Sequence, residues 1–92
     1  MARDVQQTTT NDAKNLGLAM LIAEDEEGHY EPIAPVSSIA EAREIAQSNL
    51  RGKMRRLERD EDPGLCPDFY KVWAQGIDGG YRPVQEFNAT AL

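Results

Sequence analysis

A hairpin-sized segment occurs twice in this chain, and that repeat limits the folds open to it. Ala23-Glu24-Asp25-Glu26-Glu27-Gly28-His29-Tyr30-Glu31-Pro32-Ile33 returns 51 positions later as Ala74-Gln75-Gly76-Ile77-Asp78-Gly79-Gly80-Tyr81-Arg82-Pro83-Val84. Ala, Gly, Tyr and Pro recur unchanged, Glu27 is answered by Asp78, Ile33 by Val84, and Leu21 and Val72 extend the match upstream. An acidic residue and glycine between apolar, tyrosine-bearing runs make a tight β-turn, because glycine enters the positive-φ region without steric penalty. Two such hairpins put four strands into a 92-residue chain.

Between the hairpins the pattern changes period. Ser38-Ile39-Ala40-Glu41 has capping-box spacing, with Ser38 as N-cap. Ile39, Ala42, Ile45, Ala46, Leu50, Met54 and Leu57 then step by three or four, which predicts an amphipathic helix reaching about Asp60. Gly52 lies on its solvent side. The strands are expected at 16–24, 29–36, 69–75 and 81–87, and the loop 61–68 is punctuated by Pro63, Gly64 and Pro67. Pro32, Pro35 and Pro83 each remove a ladder donor, so the second strand belongs at a sheet edge or carries a bulge, and the fourth, repeating the Pro32 position, is an edge too. The expectation is an α+β fold, ββαββ, with a four-stranded antiparallel sheet in the order 2-1-3-4. One helix packs on one face, and a pseudo-twofold relates the hairpins. Residues 1–15 read as a flexible arm, 16–88 as the domain and 89–92 as a tail.

A mismatch of size points to a partner. Four strands at about 4.8 Å span roughly 19 Å, whereas one helix covers about 10–12 Å. The first strand is apolar on both sides, with Leu16, Leu18, Met20 and Ile22 on one and Leu21 and Ala23 on the other. A second copy of the chain is the simplest cover for the remaining face. Leu21, Tyr30, Val72, Trp73 and Tyr81 are the expected interface residues, Trp73 being the best single anchor.

Little in the sequence supplies reaction chemistry. His29 is the single histidine and Cys66 the single cysteine, so neither a disulfide nor a Cys-rich zinc site forms within the chain. His29 reads as a surface residue, since its repeat equivalent is Gly80. Cys66 reads as a half-buried loop thiol without a base. The Glu24–Glu27 carboxylates sit at a turn that points them apart, so they read as solvated and not as a cation site. Gly76, Gly79 and Gly80 precede a strand rather than a helix and read as turn glycines, not as a phosphate loop. No cofactor is expected.

Arg51, Lys53, Arg55, Arg56 and Arg59 gather half of the ten basic residues at the helix's end. A phosphate-contacting patch for RNA or DNA is one reading. Cations suiting a helix C-terminus are another, and the formal net charge of −6 opposes general nucleic-acid binding. The exposed-aromatic reading of Tyr30, Phe69, Tyr70, Trp73 and Tyr81 as base-stacking groups is weaker than core or dimer packing. The longest apolar run, at 16–23, is far short of the roughly 20 residues a membrane-spanning helix needs. No apolar leader is visible, and one cysteine suits a reducing, cytoplasmic setting.

The stretch from Ile22 to Arg43 runs strand, Asp25-Glu26-Glu27-Gly28-His29-Tyr30 turn, strand, then Glu41-Ala42 opening a helix. In this it resembles the start of HicB-type antitoxins, although Ala34-Pro35-Val36 leads almost directly into Ser37 where that family has a Pro/Gly-rich connection. The resemblance implies a small toxin-neutralising protein built on a sheet with a helix. Three readings follow: a non-enzymatic protein-binding or regulatory module, expected to be a homodimer; a nucleic-acid binder using the basic helix end; and an antitoxin-like or phage-encoded inhibitor of a basic partner.

Overall fold

The computed structural model describes residues 16–92, and the expected N-terminal arm lies outside them. Strand β1 (Ala19–Glu24) and strand β2 (Tyr30–Val36) form the first hairpin. Helix α1 (Ile39–Glu58) follows, then β3 (Phe69–Gln75) and β4 (Tyr81–Asn88). All neighbouring strands are antiparallel and the sheet order is β2-β1-β3-β4, with the proline-bearing strands at both edges.

The repeat extends to individual hydrogen bonds. The Asp25 N–H donates to the His29 carbonyl and the Gly28 N–H to the Asp25 carbonyl. At the same offset the Gly76 N–H donates to the Gly80 carbonyl and the Gly79 N–H to the Gly76 carbonyl. Gly28 and Gly79 have φ of +92° and +84°, the left-handed geometry that fixes glycine at this turn position. Each hairpin also carries a bulge. Leu21 faces Ala34 and Ile22 faces Pro32, leaving Ile33 extra; Val72 faces Gln85 and Trp73 faces Pro83, leaving Val84 extra.

In the central ladder Leu21 pairs with Val72, Met20 with Trp73, and Ile22 with Lys71. Leu21 and Val72 are therefore both repeat equivalents and direct partners, so the pseudo-dyad passes between them. Both are fully buried.

One face of the sheet carries Ala19, Leu21, Ala23, Tyr70, Val72, Ala74 and Phe87 and packs under Ile39, Ala42 and Ala46 of α1. Alanine on both layers lets helix and sheet approach closely, and burying such surface stabilises the fold by about 25 cal/mol per Å². Tyr70 hands its hydroxyl proton to Asn49 Oδ1 at 2.8 Å, satisfying the polar tip of the largest fully buried side chain. Burial, followed by the Glu31 charge, pushes the Tyr70 phenol up from 10.0 to about 12.

Several local expectations change. β1 begins at Ala19, after Gly17 has turned the chain at φ +70°. Ser38 Oγ accepts the Glu41 N–H, but the Glu41 carboxylate reaches Ser37, not Ser38. α1 ends at Glu58 in a Schellman closure: the Asp60 N–H meets the Leu57 carbonyl, the Glu61 N–H meets the Arg56 carbonyl, and Asp60 takes φ +62°. Helical periodicity continues past the sheet, so Met54 and Leu57 are exposed, not part of the core. Residues 89–92 are no loose tail, since Ala89–Ala91 form a 3₁₀ turn and Leu92 packs against the core.

Candidate functional site: the sheet face away from α1

Strand alternation sends the other half of the sheet's side chains away from α1. The register groups Met20, Ile22 and Glu24 with Trp73, Lys71 and Phe69, and flanks them with Tyr30, Pro32 and Pro35 on β2 and Tyr81 and Pro83 on β4. Met20, Ile22 and Trp73 are half-buried, while Tyr30 and Tyr81 are 68% and 53% exposed. The tyrosines are repeat equivalents opposite Glu24 and Gln75, so aromatic rings mark both edges of the face.

Ile22, Glu24, Tyr30 and Trp73 line a hollow of about 280 Å³. The Trp73 indole Nε1 is buried and finds no acceptor among the described residues, a defect of about 1–3 kcal/mol. Glu24 lies 3.5 Å from Lys71 Nζ, and Lys71 also sits over the Phe69 ring at 5.1 Å. The face is apolar at its centre; Glu24 and Lys71 pair across the β1–β3 ladder, and the exposed Glu86 stands opposite Lys71 on β4. Its edges resist extension, because Pro32, Pro35 and Pro83 interrupt the donor rows that an added strand would need.

Trp73, Tyr30 and Tyr81, expected at an interface, share this face. Leu21 and Val72 do not: they point into the helix side and are sealed, so neither can meet a partner. Met20 and Ile22 take their place. A strand apolar on both sides leaves its facing undetermined, and only the pairing with β3 resolved it.

The basic group also divides. Lys53 is 4% exposed, with Nζ 3.0 Å from Glu31 Oε1 and 3.0 Å from the Pro63 carbonyl oxygen. It belongs to the core side of the helix and not to a phosphate-binding patch. Arg51, Arg55, Arg56 and Arg59 remain exposed.

At the first turn His29 Nδ1 lies 3.0 Å from Asp25 Oδ2, a partner four residues away that the sequence reading missed. Asp25 Oδ1 also accepts the Glu27 and His29 backbone N–H groups. Partial burial pushes the Asp25 carboxyl up, but the His29 backbone and ring and the Glu27 N–H outweigh it and hold it below 3.8. His29 is thus a turn-stabilising residue. Cys66 is exposed, contrary to the half-buried expectation. Among the described residues no three His, Cys, Asp or Glu side chains converge on a metal-sized site, and no helix is long and apolar enough to cross a membrane.

No protein-family model, curated protein or solved structure matches the chain.

Proposed function

We propose that this chain is a non-enzymatic, cytoplasmic binding module that works as a homodimer, two copies joining through the sheet faces turned away from α1. The observation that carries the reading is the half-covered apolar centre of that face, Met20, Ile22 and Trp73, framed by Tyr30 and Tyr81. A hollow ringed by aromatic side chains is the usual seat of an interface anchor. The proline-guarded edges leave face-to-face stacking, with sheets about 10 Å apart, as the favourable mode of association. Pairing of Glu24 with Lys71 neutralises two of the face's charges and leaves Glu86 at its β4 side, away from the hollow.

Sedimentation over a concentration series tests this. The wild-type chain should sediment at twice 10.3 kDa, and Ile22→Lys, which places a second cation opposite Lys71 at the apolar hollow, should be monomeric with an unchanged circular-dichroism spectrum. Trp73→Ala should weaken the dimer by about 2 kcal/mol or more. A wild-type monomer at all concentrations, or a dimer indifferent to both changes, would remove the proposal.

A further inference from the structure

We infer that the hollow lined by Ile22, Glu24, Tyr30 and Trp73 is a binding site for a methylated ammonium group. This goes beyond the dimer reading: it concerns the single chain and holds whether or not a second copy covers the face. The four side chains come from three adjacent strands. Ile22 and Glu24 share the outward side of β1, Tyr30 stands directly opposite Glu24 on β2, and Trp73 stands on β3 opposite Met20, one outward position along from Ile22. The hollow of about 280 Å³ has room for a trimethylammonium head and the first carbons of its chain.

The lining selects the ligand's charge. Tryptophan and tyrosine attract cations through the negative face of their π-systems, and both line this hollow. Glu24 is the one charged residue beside them among the described residues. Its side chain is 18% exposed, and Lys71 reaches Oε1 alone, at 3.5 Å; among the described residues Oε2 has no partner. A neutral ligand filling the hollow would strip water from that oxygen and return nothing, and an anion would be repelled. A cation compensates the loss. The face already holds one cation by the same means, since Lys71 Nζ meets the Glu24 carboxylate and lies 5.1 Å from the centre of the Phe69 ring.

Methylation follows from the supply of hydrogen-bond acceptors. A primary ammonium carries three N–H donors, and an indole nitrogen accepts none. Glu24 Oε2 and the Tyr30 hydroxyl would satisfy two at most, which leaves a desolvated donor unmet. A metal ion would find still fewer of the oxygens it needs. A trimethylammonium group has no donor to satisfy and spreads its charge over methyl surfaces that suit Ile22 and the aromatic rings. Free quaternary amines and trimethylated lysine in a polypeptide share this chemistry.

Trp73 is the chain's single tryptophan, so its fluorescence reports the site directly. Titrating the full chain with tetramethylammonium or choline should give a saturable change, millimolar or tighter, beyond that of a sodium chloride control. Choline's neutral carbon isostere, with tert-butyl in place of trimethylammonium, should bind about tenfold or more weakly. Glu24→Gln and Tyr30→Ala should each weaken choline binding by about fivefold or more, with unchanged circular-dichroism spectra. Peptides carrying trimethyl-lysine or lysine separate the sources: a trimethyl-lysine peptide that binds more tightly than choline assigns a polypeptide ligand, and the reverse order a free amine. No saturable change, equal binding of choline and its isostere, preference for unmethylated lysine, or indifference to both variants would overturn the inference. Sedimentation of the same samples keeps the dimer separate. A single-chain mass with choline bound removes the dimer alone, and a dimer without saturable binding removes this inference alone.

Discussion

Lys53 and Glu31 make an unequal pair, and the inequality predicts opposite outcomes at its two ends. The Lys53 side chain is 5% exposed and the Glu31 side chain 41%. Glu31→Gln leaves a desolvated ammonium facing a neutral amide oxygen and the Pro63 carbonyl with no countercharge, and should cost about 2 kcal/mol. Lys53→Met returns Glu31 to water and packs an aliphatic chain of similar shape, so it should cost well under half as much. Urea denaturation of the two variants checks the order. Tyr70 carries a second residue-scale prediction. Its raised pKa means that the folded state favours the neutral phenol. That contribution is fully present below pH 10 and is lost as pH rises through about 12. Ultraviolet absorbance titration should show a tyrosine step near pH 12 that Tyr70→Phe abolishes. Neither feature was legible in the sequence. Lys53 occupies a position that helical periodicity marks as inward, but a lysine in a run of arginines reads as surface until the loop carrying Pro63 is seen to close over it.

At the scale of elements, the repeat was the informative feature. Matching Gly28 with Gly79 and Pro32 with Pro83 gave both turns, both edges and the strand order, because glycine and proline act through backbone constraints that need no tertiary context. Pro32 and Pro35 left a bulge open for β2, but where the bulges fall was not readable, since Ile33 and Val84 look like ordinary strand residues in alternation. Their effect is nonetheless specific. With Val84 extra, Tyr81 and Pro83 face away from the helix while Gln85 and Phe87 face it. Deleting Val84 removes the extra residue and closes β4 into regular alternation, with Tyr81 and Pro83 still facing away from the helix and Gln85 and Phe87 still facing it. In thermal melts the deletion should therefore cost clearly less than Phe87→Ala, which removes a buried ring at about 3 kcal/mol. The helix length was legible, but the buried part of its stripe is shorter than the period suggests: Met54 and Leu57 keep the period, and the sheet they would cover has ended.

For the whole molecule, sequence reasoning supplied the architecture and the surplus of apolar sheet, but assigned Leu21 and Val72 to the wrong side of it. A periodicity of two distinguishes two faces without saying which one the helix takes; that choice lies in the connection through Ser37 and Ser38. The pseudo-dyad between Leu21 and Val72 has a further consequence. The contact between the hairpins is that of a small symmetric dimer whose subunits are fused through α1 and the 59–68 loop. The fusion turns a bimolecular encounter into an internal one, at an effective concentration of roughly millimolar. A proteolytic nick in that loop would leave every strand pairing intact while making the central ladder's persistence depend on dilution.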